Sequence, residues 1–112
     1  MNRENGAGNA LKSCRQDGSP LGGECNTTAQ PRWAAGNMHH GTDVFGFSSL
    51  PAGRRVSSDS RFLSLTFNSN MWSSTESTAE SAWCRSMYYS SGDVKRNDSP
   101  KGNGYSIRCV RD

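Results

Sequence analysis

Four cysteines, two adjacent histidines, two glutamates four apart and eighteen serines are the residues of this 112-residue chain with chemistry to offer. Cys14 and Cys25 enclose ten residues with little apolar content of their own. A disulfide there removes chain entropy where packing cannot, worth about 3 kcal/mol for a loop of this size. Cys84 and Cys109 fall in the middle of two candidate strands. They bridge if those strands are neighbours in suitable register, and otherwise stay free thiols. Disulfides are expected in preference to zinc, because no C-x2-C pair exists. His39 and His40 would point to opposite faces of a strand and need no common ligand on a loop. They read as a solvated pair, and no metal or other cofactor is expected. The serines lack a G-x-S-x-G elbow. Glu76 and Glu80, set among Ser and Thr, read as turn residues rather than an acid/base pair. Walker and Gly-x-Gly-x-x-Gly phosphate loops are missing too, so no catalytic residue is assigned and no enzymatic activity is expected.

One stretch remains. Between Tyr88 and Asn103, Tyr88, Tyr89, Asp93, Lys95, Arg96, Asn97, Asp98 and Asn103 are interleaved with Ser and Gly. Tyrosine supplies contact area at low entropy cost and Ser, Gly and Asn supply adaptable hydrogen bonding, which is the composition of recognition loops. These eight residues are the candidate ligand-binding set.

The elements that must position them are short. Eighteen Ser, twelve Gly and nine Asn leave a hydrophobic fraction of only 32%, so the core of this single domain must be thin. The aromatic residues nevertheless cluster in islands, which argues against disorder. Thirteen basic and ten acidic residues give a net charge of +3 without a block of one sign, so a nucleic-acid partner is not expected. No apolar run reaches membrane-spanning length, and the first residues lack the apolar stretch of a signal peptide.

Residues 1–10 read as a flexible lead-in, and residues 13–42 as a long irregular region tied down by Cys14 and Cys25. Val44–Leu50 reads as a strand ended by Pro51, and Arg55-Val56 as the start of another. Phe62–Phe67 could be strand or helical turn. Met71–Thr75 and Ser81–Tyr89 read as an antiparallel hairpin. Val94–Arg96 is a short strand, Asn97–Gly104 a turn, and Tyr105–Cys109 a half-buried closing strand with period two. No segment has a convincing helical period.

The motifs Phe45-Gly46-Phe47-Ser48-Ser49-Leu50-Pro51-Ala52-Gly53-Arg54-Arg55, Trp72-Ser73-Ser74-Thr75-Glu76, Ala82-Trp83-Cys84-Arg85 and Gly104-Tyr105-Ser106-Ile107-Arg108-Cys109-Val110 follow one another in a known order. They resemble the Fibrobacter succinogenes major paralogous domain, whose members carry Y-G-F-S-A-L-P-G-G-Y-R, W-W-S-S-T-E, A-W-Y-R and G-F-S-V-R-C-V. The likeness runs from Leu11 to Arg111. It implies an α+β, C-type lectin-like fold of short antiparallel strands and long loops, in an oxidising compartment that favours disulfides. The chain departs from the family at Met71, Arg54 and Cys84, each standing where an aromatic residue is usual. Residues 1–10 do not match the family's N-terminal portion, so residues 11–112 are expected to form a single lectin-like domain that is the C-terminal part of an N-terminally truncated whole.

The resemblance implies a non-catalytic binding module, on the cell surface or secreted, of a Bacteroidetes-type envelope protein. Its ligand would be a glycan or a protein, as in adhesion or in variable scaffolds diversified near the C-terminus. An enzyme-like relative of the formylglycine-generating group and a truncated, non-functional remnant are the alternatives. The calcium signatures E-P-N, Q-P-D and W-N-D are absent, so no calcium-dependent sugar site is expected. Phe47, Trp72, Trp83 and Ile107 are the expected core, since tryptophans in short strands anchor packing.

Overall fold

The computed structural model describes residues 6–35 and 38–109. Its organising element is a three-stranded antiparallel sheet in the order β3-β4-β5, formed by Asn68–Glu76, Ser81–Tyr88 and Lys95–Pro100. A two-stranded ribbon, β1 (Arg54–Arg55) with β2 (Phe62–Leu63), is a separate sheet that meets β3 through the Gly53–Ser69 bridge. Helix α1 (Ala7–Leu11) and a 3-10 turn at Gly23–Cys25 are the helical elements of the described chain. The architecture is therefore mostly antiparallel strand with very little helix.

The expected hairpin forms because β4 alternates: Trp83, Arg85 and Met87 take one face, Cys84 and Ser86 the other. Its turn is closed by the Thr78 hydroxyl, which accepts from the amides of Glu80 and Ser81 at 3.2 and 3.1 Å. Between Trp72 and Glu76 the register shifts. Ser73 sits in that irregularity and donates its hydroxyl to the Trp83 carbonyl at 2.9 Å, which recovers a bond the bulged ladder would lose.

Several segments differ from expectation. Residues 1–5 of the expected lead-in lie outside the described residues, and Ala7–Leu11 is helical. Gly8 explains the docking of this helix: its amide donates to the Gly92 carbonyl at 2.8 Å, and a Cβ there would collide with the Asp93 carbonyl. Val44–Leu50 is a turn around Gly46 with a single bridge at Ser49, not a strand. Phe62–Phe67 divides into strand and turn. β5 runs on to Pro100, through residues expected to turn. Tyr105–Cys109 makes a single isolated bridge, at Ser106 to Met71, just after the one from Gly104 to Arg55.

Cys14 and Cys25 form the expected disulfide, with Cα atoms 5.1 Å apart. A Cys84–Cys109 bridge does not form: Cys84 is buried and Cys109 exposed, both as free thiols. The topology forbids it. Cys84 is registered between Trp72 on β3 and Asn97 on β5, whereas the C-terminal segment lies along β3, with Trp72 N–H donating to Ser106 at 3.1 Å. A strand therefore separates the two cysteines.

The interior is also not the expected one. Phe47, Trp72 and Trp83 are half-buried and Ile107 is 74% exposed. The buried apolar residues are Trp33, Met87 and Cys84, with Trp33 and Met87 each worth about 1.5–3 kcal/mol of burial. Around them the interior is polar. Lys12, Gln16, Ser49, Asn68, Ser69, Asn70 and Ser86 are all buried, and most buried polar groups are paired, Asn70 Nδ2 being an exception. Ser49 and Ser69 share a hydroxyl bond of 2.6 Å, and Ser86 donates to Asn70 at 2.8 Å. Lys12 lies over the Trp33 ring and donates to the Ser91 carbonyl at 2.7 Å, the His39 carbonyl at 3.0 Å and Asn9 Oδ1 at 3.3 Å. One ammonium thus ties α1, the loop around His39 and the β4–β5 turn together.

Candidate functional site

Strand register builds the site. Residues directly opposite each other on paired strands share a face, so Met71, Arg85 and Arg96 form one row across the sheet, which Ser106 continues at the β3 edge. Trp83 lies beside this row on the same face, opposite Asp98. Three adjoining depressions lie here, the central one sharing lining residues with each of the other two, and together they make up the candidate groove.

The central depression, about 270 Å³, is lined by Leu11, Phe47, Met71, Met87, Arg85 and Arg108 among others. On one side, sharing Met71 and Arg108, lies a depression of about 200 Å³ with Ser48, Ser49, Ser69 and Ser106 in its wall. On the other, sharing Arg85, lies one of about 170 Å³ between Ser73, Thr75, Trp83 and Arg96. Arginines therefore mark both junctions.

The arginines are held but not neutralised. Arg96 stacks on Trp83, its guanidinium carbon 3.7 Å from the ring centroid. Arg108 lies 4.5 Å over the Phe47 ring and donates to the Phe47 carbonyl at 2.8 Å. Among the described residues the ion pairs are Arg61–Asp59, Lys95–Asp93 and Lys101–Glu76, and none reaches the groove. Among the described residues no carboxylate or imidazole lines it. Arg85 and Arg96, both exposed, stand directly opposite each other, an arrangement that costs a few tenths of a kcal/mol to about 1 kcal/mol.

Of the eight expected binding residues, the structure places Arg96 in the groove and Asp98 beside it, where Asp98 is engaged by the Ser77 hydroxyl at 3.4 Å. Lys95 and Asn97 are exposed on β5 but alternate to the other face. Tyr88 is half-buried opposite Asn68, and Tyr89 packs edge-on against Phe67, with ring centroids 5.2 Å apart. Asp93 is engaged by the Ser91 hydroxyl and by Lys95, which hold its carboxyl below the usual range. Asn103 accepts from the Ser57 amide at 3.0 Å and donates to the Tyr105 hydroxyl at 3.1 Å. The set therefore divides between the groove, the sheet edge and the packing of turns.

Sequence reasoning missed Arg85 and Arg108. Arg85 had a signal: in the alternating β4 it shares a face with Trp83 and Met87, where an unpaired charge has no structural use. Arg108 had none, because its place depends on where the C-terminal segment crosses β3.

Among the described residues no group of three or more His, Cys, Asp or Glu could hold a metal, and no helix is long and apolar enough to cross a membrane. No curated protein and no solved structure matches the chain. The family model of the Fibrobacter succinogenes major domain matches residues 1–111. With nearly its whole length matched, the chain belongs to the Fibrobacter succinogenes major domain family.

Proposed function

We propose that this chain is a non-catalytic recognition module of a bacterial cell-envelope protein, displayed on the surface or secreted, with its ligand held in the groove across the β3-β4-β5 face. The observation that carries this reading is the row of unneutralised arginines in an open groove lined by hydroxyl, aromatic and methionine side chains. Such a lining offers hydrogen bonds, stacking and apolar contact, and the Cys84 thiol at its edge is buried with no carboxylate or imidazole among the lining residues to activate it, which suits binding rather than turnover. The Cys14–Cys25 disulfide fits an oxidising compartment. Short antiparallel strands joined by long tied loops fit the lectin-like fold that the family resemblance implies. That fold hosts many functions, so the site decides the reading.

The experiment is a screen of the purified chain against immobilised glycans and surface-protein fragments, followed by NMR titration of each binder. Shifts concentrated at Met71, Trp83, Arg85, Arg96 and Arg108 are expected. Binding that maps to the opposite sheet face, or a screen without a binder, rejects the assignment.

A further inference from the structure

We infer that the groove takes an acidic glycan, a sugar chain bearing uronate carboxylates, with Arg85 and Arg96 receiving one carboxylate and Arg108 another. This rests on the recognition reading above and names the ligand class of the same site.

The charge pattern comes first. Arg85 and Arg96 face each other across β4 and β5, and among the described residues neither is in an ion pair. Opposed side chains on neighbouring strands leave their Cβ atoms about 4.5–5.5 Å apart, so both guanidinium forks can reach one bound anion. The stack on Trp83 holds the Arg96 plane in one orientation before any ligand arrives, which lowers the ordering cost of a bidentate contact. Arg108 is fixed in the same manner by the Phe47 ring and carbonyl. The nearest acid on this face, Asp98, is already engaged by Ser77.

Dimensions and lining favour a sugar chain over a peptide. The groove crosses the sheet, and neighbouring strands are spaced by about 4.8 Å. From Arg96 to the C-terminal segment it therefore spans about 15 Å, the length of a few linked rings. Its floor is a sheet face whose backbone groups are bonded in the ladder, so a peptide lying across it would meet side chains rather than free backbone, the open edge being the outer side of β5. A sugar brings its own hydroxyls, and a hydroxyl partner stands at each end: Thr75 beside Arg96 and Ser106 beside Arg108. Met71 and Leu11 between them offer apolar surface to ring C–H groups.

The test is isothermal titration with polygalacturonate, its methyl ester, dextran and poly-glutamate, at low and at physiological salt. Polygalacturonate should bind, more weakly as salt rises, and esterification should cost at least tenfold. The double variant Arg85→Gln/Arg96→Gln should also cost at least tenfold while keeping its thermal melt, and Arg61→Gln, outside the groove, should leave affinity unchanged. Equal binding of the ester, tighter binding of poly-glutamate, or an equal loss in Arg61→Gln overturns the inference. If a neutral glycan or a protein binds through the groove and polygalacturonate does not, the acidic-glycan inference falls and the recognition reading stands. If no probe of any class binds, both fall.

Discussion

At the scale of single residues, the molecule holds charges at a cost. Arg85 and Arg96 repel each other across the ladder, so Arg85→Gln should raise stability by a few tenths of a kcal/mol while weakening ligand binding. A urea melt checks the first half; a fall of more than about 0.5 kcal/mol would mean that Arg85 is structural. Lys12 shows the same tension inside. Burial pushes its amine down to about 8, with the Asp93 charge opposing. Below that pH the lysine is protonated in both the folded and unfolded chain, and burying the charge is a constant cost. Between about 8 and the ordinary 10.5 the unfolded chain binds more protons, so stability should rise with pH, at up to about 1.4 kcal/mol per unit. Wild type should therefore gain on Lys12→Met across that window. A flat or falling difference would refute a buried charged amine. The role of Lys12 was not legible in advance, because in a polar run it looks solvated until Trp33 and three acceptors close around it.

At the scale of elements, legibility followed locality. The β3–β4 hairpin and the Cys14–Cys25 tie were readable because alternation and turn chemistry act over a few neighbours. Helix α1 was not, since five residues carry no period and its reason is a distant contact, the Gly8 backbone against the β4–β5 turn. Gly8→Ala should therefore destabilise by about 2 kcal/mol or more, although alanine is the better helix former. A melt no lower than wild type would separate α1 from the sheet. The C-terminal segment misled for a related reason. Its alternating pattern is that of a strand, yet it meets β3 at one bridge and leaves Ile107 in solvent. The cysteines report on this arrangement directly. Thiol labelling of the native chain should modify Cys109 at once and Cys84 only on unfolding. Protection of both would restore the bridge that the strand order excludes.

At the scale of the whole molecule, the low apolar fraction and the polar interior are one fact. A chain with 32% hydrophobic residues cannot fill its centre with them, and it also leaves Phe45, Phe62 and Ile107 at least 70% exposed. Few apolar side chains leave water when it folds. Hydroxyl and amide pairs such as Ser49–Ser69 and Ser86–Asn70 take their place. Such bonds give modest net stabilisation but fix geometry, because each broken pair leaves an unsatisfied buried group. This has a calorimetric consequence. Exposing apolar surface raises the heat capacity and exposing polar surface lowers it, and an ordinary domain of this length unfolds with about 1.3–1.7 kcal/mol/K. This one should fall below about 1.2 kcal/mol/K while still melting cooperatively, since the polar network is lost as a unit. Scanning calorimetry across a pH series gives the value as the slope of unfolding enthalpy against melting temperature. A heat capacity in the ordinary range would mean that the exposed aromatic residues are covered in solution, and that the groove face and its surroundings are less open than the arrangement of strands makes them.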